Sequence, residues 1–338
     1  EGAPLAIFDT VAILPSADQG AMLAAMPAAT TWAHYKVAAH NDAAKPLFAK
    51  AGLDFAAEKT RARTEAFTPV TLKGAGFSAD FAVTTTRTQS DNVLGRLPGA
   101  ARPDETVLIG AHWDHLGRGV PDASGDDIYN GAVDNATGIA GLLELARVMA
   151  AGPKLRRSVV FAAWTVEERG LLGSEFYAQN PVYPLAKTAA VFNMDGLGVG
   201  VPAKDITFVG SGKSSLDEAA AKIARGMGLS ISPETNPEVG GYYRSDHFPL
   251  AKVGVPAIYM SNGQDLEEGG LAAGKAMDDA YIEKAYHQPD DEYDPSWPLT
   301  GALPELKIIQ KLASETAAAT NWPQWSPGAE FGPTRQMT

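Results

Sequence analysis

The sequence contains no cysteine among its 338 residues. Disulfide bonds, zinc sites built from thiolates and cysteine nucleophiles are therefore excluded. The missing cysteines do not fix the cellular compartment, because many exported bacterial proteins also lack this residue.

Long apolar runs and an excess of positive charge are also missing. No apolar stretch reaches the roughly 18 residues that a membrane-spanning helix needs, and no signal-peptide pattern of basic then apolar residues opens the chain. The formal net charge of −12 argues against the phosphate backbone of a nucleic acid as a partner. We therefore expect neither a membrane span nor nucleic-acid binding.

The remaining composition is that of a globular protein, with 45% hydrophobic and 20% charged residues. Residues 1–65 are rich in alanine and are predicted to be mostly helical, with helices in "NDAAKPLFAKAG" and "DFAAEKTRARTEAF". From about residue 77 the pattern changes to apolar strands that alternate with helices.

The strands are predicted at "FSADFAVTTTRT", "DNVLGRLPG", "ETVLIGAHWD", "RRSVVFAAWT", "TAAVFNMDG" and "VPAIYM". The helices are predicted at "NATGIAGLLELARVMAAG", "GLLGSEFYAQN", "SSLDEAAAKIARGMG" and "PELKIIQKLASETAAATN". In the first of these helices we expect a buried stripe of Ile139, Leu142, Leu143, Ala146 and Met149. This alternation predicts an α/β fold of three layers, α/β/α, with a mixed, mostly parallel central sheet.

Acidic residues and histidines follow these predicted strands where each strand ends, which is where such sheets carry their chemistry. They are His112, Asp114, Asp134, Glu167, Glu168 and Asp195, with His287 in a later acidic loop. Without compensation the carboxylates would repel one another and raise one another's pKa. A divalent cation removes this conflict, and imidazoles mixed with carboxylates are donors that zinc accepts.

Six motifs occur in an order that resembles the zinc-dependent aminopeptidases of peptidase family M28. They are "GAHWDH", "GAVDNATG", "VEERG", "NMDG", "SDHFPLAKVGVPAIYM" and "YHQPDDEYD". Each motif alone is a weak signal, whereas the ordered set over roughly residues 85–325 is a strong one. "YYRSDHF" and "YHQPDDEYDPSW" are especially similar to bacterial members with larger precursors.

The resemblance implies a zinc-exopeptidase fold with two Zn²⁺ ions per chain. Asp134 matches a carboxylate that bridges both ions; His112 and Asp195 would complete one site, and Glu168 and His287 the other. The resemblance also implies a cis peptide bond after Asp134.

Other residues take catalytic roles by the same resemblance. Glu167 matches the general base that acts on a metal-bound water, and Asp114 matches the acid that orients His112. Tyr286 and Tyr242 occupy two alternative positions for a tyrosine that stabilises the oxyanion, and we prefer Tyr286. For Tyr242, plain packing explains the residue equally well.

Several neighbouring residues keep two interpretations. Arg244 either binds a substrate carbonyl or carboxylate or forms a structural salt bridge. Ser245 and His247 are interpreted as scaffold, and His115 as a neighbour of the site. Asp290 and Asp291 either hydrogen-bond to His287, bind a cation or form a turn.

The function we expect is that of a zinc exopeptidase acting on peptides with a free N-terminus. A carboxypeptidase, a dipeptidase or a single-zinc glutaminyl cyclase of the same fold remains an alternative, and a non-catalytic binding ectodomain is less expected because all ligands are retained. A serine hydrolase is disfavoured, since the contiguous Ser245-Asp246-His247 does not form a triad.

The resemblance also bears on domain organisation and location. We predict that residues 66–338 form the peptidase domain and that residues 1–65 are the trailing part or remnant of a protease-associated insert. Because the chain starts with Glu1, we expect a matured or trimmed product of a longer precursor, exported to the periplasm or the cell exterior. Neither the oligomeric state nor the preferred N-terminal residue follows from the sequence.

Overall fold

The computed structural model describes residues 41–62, 64, 66–73 and 88–337. The chain divides into two units, one before and one after the junction between Gln89 and Ser90. The predicted strand at "FSADFAVTTTRT" and the predicted helical character of residues 1–40 lie outside or largely outside the described residues. The boundary after residue 65 and the origin of the segment before it stay predictions.

The described part of the first unit contains two short helices, α1 (Asn41–Lys50) and α2 (Phe55–Arg61). Asp54 caps α2, because its carboxylate accepts a hydrogen bond of 2.7 Å from the amide of Ala57. Both helices lie where the sequence predicts them, and α2 ends before the predicted segment does.

The second unit is built, within the described residues, on a seven-stranded sheet in the order β1-β5-β2-β6-β9-β7-β8. Its strands are β1 (Val93–Leu97), β2 (Arg102–His112), β5 (Arg157–Trp164), β6 (Thr188–Asn193), β7 (Asp205–Phe208), β8 (Ser230–Ser232) and β9 (Ala257–Asn262). A separate ribbon pairs β3 (Gly117–Arg118) with β4 (Ile128–Tyr129). Only the β1–β5 and β7–β9 pairs of the large sheet are antiparallel, so the sheet is mixed and mostly parallel, as predicted.

Helices cover both faces of this sheet and complete the three layers. They are α3 (Thr137–Ala151), α4 (Leu172–Gln179), α5 (Ser215–Gly226), α6 (His247–Lys252), α7 (Gly270–Lys284), α8 (Leu303–Ala318) and α9 (Gly332–Met337). None of the helices in the described ranges is long and apolar enough to cross a membrane.

Strand β2 shows how one strand serves both faces. Val107 and Ile109 belong to the core that α3, α5 and α8 cover, whereas Leu108 belongs to the core beneath α4 and α6. Successive side chains of a strand point to opposite faces. A strand buried on both faces therefore needs a continuous apolar run, which is the pattern that "TVLIGA" carries.

Helix α3 corrects one detail of the predicted core. Leu142 and Met149 are buried as expected, but Leu143 is 67% exposed and Leu145 is buried instead. The buried stripe includes Gly141, whose absent side chain lets α3 approach Leu197 closely. The prediction included Leu143 because the residue is apolar, although its position on the helix faces solvent.

Arg157 fastens the sheet to the end of α8. This residue starts β5, is 1% exposed, and donates hydrogen bonds to the carbonyls of Thr316 (2.7 Å) and Ala319 (2.9 Å). Its Nε atom donates to Glu105 over 2.7 Å. A cation here also suits the negative end of the dipole of α8.

Replacing Arg157 by Met should lower the free energy of unfolding by about 3 kcal/mol, because the buried carbonyls and Glu105 lose their donor. Urea unfolding of the wild type and the variant measures this loss. Arg102→Met is the control, since the side chain of Arg102 is largely exposed and approaches Glu105 only to 3.9 Å. Equal losses in both variants would contradict a structural role for Arg157.

Candidate metal centre

Three neighbouring strands deliver most of the predicted site residues to one edge of the sheet. Strands β5, β2 and β6 are adjacent and parallel, so their carboxyl ends lie side by side. His112 is the last residue of β2, Glu167 and Glu168 follow β5, and Asp195 follows β6. Residues far apart in the sequence thus become neighbours.

Asp134 lies between the two histidines. Its Oδ1 atom is 3.1 Å from Nε2 of His112, and its Oδ2 atom is 3.2 Å from Nε2 of His287. His112 Nε2 is also 3.2 Å from Asp195 Oδ1, and His287 Nε2 is 3.2 Å from Glu168 Oε2. The five residues form two halves that share Asp134, the same division that the family resemblance implies.

The donors at this centre fit zinc. Ligand atoms of His112, Asp134 and Glu168 lie within 4.8 Å of one another, as do those of His112, Glu167 and Asp195. Within the described ranges no lysine or arginine forms an ion pair with these carboxylates, although the surface carries many such pairs. Imidazole nitrogens with carboxylate oxygens, and no thiolate, are a zinc donor set.

Protons and a cation compete for the same atoms at this centre. Hydrogen bonds to Asp134 and Glu168 raise the pKa of His287 to about 10. Burial would lower the pKa of His112, but hydrogen bonds to Asp134 and Asp195 raise it well above its usual value. Metal binding at the imidazoles therefore has to displace protons.

The segment after β5 forms a sharp turn. Glu167, Glu168 and Arg169 form a single 3₁₀ turn between Val166 (φ 55°) and Gly170 (φ 101°), both in the left-handed region. In an extended strand the two glutamates would face opposite sides. The turn allows both carboxylates to reach the same centre.

The two adjacent glutamates lie in different surroundings. Glu168 Oε1 is 2.7 Å from Nδ1 of His115, and the nearby imidazoles of His115 and His287 outweigh burial and lower the pKa of Glu168. The carboxylate of Glu167 makes no hydrogen bond or ion pair within the described residues. Burial, with the nearby charge of Asp195, raises the pKa of Glu167 to about 9.

Asp114 supports both His112 and Glu167, by a different contact from the one expected. The backbone carbonyl of Asp114 lies 3.0 Å from Nδ1 of His112, whereas its carboxylate is 3.8 Å away. The carboxylate accepts a hydrogen bond of 3.0 Å from the amide of Glu167. Strand β2 ends at His112, so the alternation of its side chains does not extend to Asp114.

Asp291 holds the segment that carries Asp134. Its two carboxylate oxygens accept hydrogen bonds from the amides of Val133 (2.9 Å) and Asp134 (3.1 Å). The sequence left Asp290 and Asp291 equivalent, but Asp291 is 1% exposed and Asp290 lies at the surface. Asp291 therefore supports the segment of Asp134 and forms no hydrogen bond to His287 among the described contacts.

Asn135 connects the two acidic segments of the centre. The peptide bond between Asp134 and Asn135 is cis, as the resemblance implies. The Oδ1 atom of Asn135 accepts from the amide of Gly196 (3.1 Å), and its Nδ2 atom donates to the carbonyl of Met194 (3.0 Å). Sequence reasoning did not identify this role, and its one signal was the position of Asn135 next to Asp134.

The "SDH" motif supports the centre from below. Ser245 Oγ donates to Asp195 Oδ2 over 2.5 Å and accepts from Nδ2 of Asn193 over 2.7 Å. His247 is fully buried, with its ring 4.5 Å from that of Tyr242. These positions agree with the interpretation of Ser245 and His247 as scaffold.

An open cavity of about 800 Å³ lies over the centre, and it separates the two candidate tyrosines. Tyr286 lines the cavity and stacks on His287 with ring centroids 3.9 Å apart. Tyr242 is 3% exposed within the core beneath α4 and α6, and it is absent from the described lining of the cavity. Of the two, Tyr286 is the one that the fold brings to the centre.

Arg244 lines the same cavity and is exposed. No carboxylate in the described part of the chain lies within ion-pair distance of its guanidinium. The expected alternative, a structural salt bridge, therefore has no partner among those residues.

Comparison with known proteins gives a family match over most of this unit. The model of peptidase family M28 matches residues 92–308. The chain belongs to peptidase family M28. The matched range includes every residue of the candidate centre, from His112 to His287, and most of the central sheet.

Individual M28 relatives are distant and longer than this chain. Leupeptin-inactivating enzyme 1 of Streptomyces exfoliatus is 28% identical over 220 residues, which cover 62% of this chain and 46% of that protein. A probable zinc metalloprotease of Pyrenophora teres f. teres is 40% identical over 106 residues, or 31% of this chain and 22% of that protein. The chain thus spans about half the length, or less, of these curated relatives.

Among solved structures, the LapA aminopeptidase of Legionella pneumophila is similar with a TM-score of 0.49 and 22% identity. The match covers 64% of this chain and 52% of that chain.

Removing the carboxylate of Asp291 should weaken zinc binding. In Asp291→Ala the amides of Val133 and Asp134 lose their acceptor, so the carboxylate of Asp134 is no longer held in place. We expect zinc affinity to fall about 10- to 100-fold. Competition with a chromogenic chelator measures the affinity.

Asp290→Ala is the matched control, since the carboxylate of Asp290 is next in the sequence to that of Asp291 but lies at the surface. Thermal unfolding of both variants separates a loss of zinc affinity from a loss of the fold. A folded Asp291→Ala protein with the zinc affinity of the wild type would contradict the supporting role of Asp291.

Proposed function

We propose that this chain is a co-catalytic zinc aminopeptidase that hydrolyses N-terminal residues from peptides. The observation that carries the proposal is the position of Asp134, which faces His112 with one oxygen and His287 with the other. Beside this pair lies Glu167, whose carboxylate is unengaged in the described structure, beneath a cavity large enough for a peptide end. Membership of peptidase family M28 supports the same function.

In this proposal each half of the centre holds one Zn²⁺. His112 and Asp195 would hold the first ion, Glu168 and His287 would hold the second, and Asp134 would contribute to both. Bound zinc lowers the pKa of a water molecule and polarises a substrate carbonyl. The pairing of distances around Asp134 supports two ions rather than one.

Glu167 is the general base in this proposal. Its carboxylate takes a proton from the attacking water and passes it to the nitrogen of the leaving amine, so that the proton is conserved through the reaction. The amide hydrogen bond to Asp114 keeps the turn in position meanwhile.

Tyr286 and Arg244 would act on the substrate. Burial raises the pKa of Tyr286 to about 12, so its hydroxyl keeps its proton and can donate to the oxyanion. Arg244 would donate to a substrate carbonyl from the wall of the cavity. Tyr242, enclosed in the core, has no direct role in this proposal.

One observation favours a second candidate, a carboxypeptidase of the same fold. A guanidinium such as that of Arg244, without an ion-pair partner in the described residues, suits the carboxylate of a peptide C-terminus. The ordered motifs, however, are more similar to the aminopeptidases of the family, so we prefer cleavage at the amino end.

The function is tested with the zinc-loaded chain and aminoacyl p-nitroanilides. We expect hydrolysis of leucine p-nitroanilide, loss of activity with a chelator and recovery with added zinc. N-acetyl-leucine p-nitroanilide should resist cleavage, because an aminopeptidase needs the free amine. A zinc-replete, folded protein that cleaves no peptide would overturn the proposal, whereas cleavage of N-acetylated peptides at a free C-terminus would establish the carboxypeptidase.

The two glutamates should respond differently to loss of charge. Glu167→Gln should keep both zinc ions and lose roughly 10²- to 10⁴-fold in kcat, because only proton transfer is removed. Glu168→Gln should lose zinc from its half of the centre. Metal analysis beside kinetics on each variant distinguishes these outcomes, and zinc loss in Glu167→Gln instead would show that the two roles are exchanged.

A further inference from the structure

One wall of the cavity above the candidate centre is formed by helix α7. Met277, Asp278, Tyr281 and Ile282 of this helix line the cavity. Residues three and four apart lie on the same side of a helix, so these four make one surface. Soon after its end at Lys284 the chain reaches His287, which places this wall next to the centre.

Asp278 differs from the other acidic residues that line the cavity. Six carboxylates line it in all: Asp134, Glu167, Glu168, Glu175, Asp195 and Asp278. Four of them belong to the centre, and Glu175 pairs with Lys252 at 2.6 Å. Asp278 is thus the remaining carboxylate, and it forms no ion pair within the described residues.

The carboxylate of Asp278 is held in place and partly withdrawn from water. Gln264 Nε2 donates a hydrogen bond of 2.6 Å to Asp278 Oδ2. Burial raises the pKa of Asp278, which means that its negative charge is poorly solvated. The nearby cation of Lys275 is already paired with Asp279 at 2.5 Å. A cation that entered the cavity would therefore gain more from Asp278 than from an exposed acid.

Apolar atoms lie beside this carboxylate. Met277 is 39% exposed and Ile282 is 62% exposed, although both line the cavity. Leu266 and Val201 contribute to the same lining. A lysine or arginine side chain combines a methylene stem, which covers such apolar surface, with a charged end that stays near an acid.

We propose that Asp278 is a specificity-determining residue that favours lysine or arginine as the N-terminal residue of the peptide substrate. The proposal rests on the aminopeptidase function proposed above. The methylene stem of the substrate's lysine or arginine side chain would pack on Met277 and Ile282. Its charged end would form an ion pair with the carboxylate of Asp278.

Lysine and norleucine p-nitroanilides make the sharpest comparison, because norleucine has a stem of nearly the same length without the ammonium group. We expect the zinc-loaded wild type to prefer the lysine compound in kcat/KM. Asp278→Asn should reduce the ratio of lysine to norleucine kcat/KM by about tenfold, as expected for a charge-assisted hydrogen bond. Glu283→Gln, at an exposed position of the same helix that does not line the cavity, should leave the ratio unchanged.

A ratio of kcat/KM values does not move when a variant only loses active protein, so a purely structural effect of Asp278→Asn changes both substrates alike. An unchanged ratio in Asp278→Asn, or an equal change in Glu283→Gln, would overturn the proposal.

A binding measurement distinguishes failure of the Asp278 proposal from failure of the proposed peptidase function. Calorimetry with L-lysinamide and L-norleucinamide needs no turnover, so it remains informative if the wild type cleaves neither anilide. In that case the peptidase proposal fails, and a lysinamide preference that Asp278→Asn removes would still assign the cation site to Asp278. Equal affinities for the two amides in the wild type would refute the site itself.

Discussion

The carboxylate of Asp134 is the constraint on which the rest of the candidate centre depends. It faces His112 on one side and His287 on the other, and it brings together donors from β2, from the segment before α3 and from the loop after α7. Such a concentration of acids and imidazoles is stable only if protons or cations compensate the charge. The surrounding structure consequently fixes the segment that carries Asp134. The carboxylate of Asp291 accepts a hydrogen bond from the backbone amide of Asp134, and the side chain of Asn135 accepts one from the backbone amide of Gly196.

The same centre gives two adjacent glutamates different chemistry. Glu168 lies close to His115 and His287, while Glu167 is half-buried beside Asp195 without a partner in the described residues. Environments that push the pKa values of two carboxyls apart are typical of sites in which one group binds and the other transfers protons. A sharp turn, rather than a change of residue type, produces this difference.

The sequence predicts five of the seven strands of the sheet, all but β7 and β8, together with most helices and the members of the candidate centre. Buried parallel strands require continuous apolar runs, and their ends collect the polar residues. Helix α7 escaped prediction, since Gly274 is its one buried residue in the described structure and it has no apolar stripe to reveal it. Asp290 and Asp291 are chemically identical in the sequence, and only the fold decides which one is buried. Tyr242 and Tyr286 are likewise separated by packing alone.

The order of the donors along the chain has a consequence for biosynthesis. His112 and Asp134 emerge from the ribosome long before His287, and the strands between them have to pair before any half of the centre is complete. Contacts between residues so distant in sequence form late, because closing long loops costs entropy that only the assembled sheet offsets. Metal binding by the complete centre should therefore be a late step of folding. A chain terminated before His287 would contain the acidic residues without the second histidine.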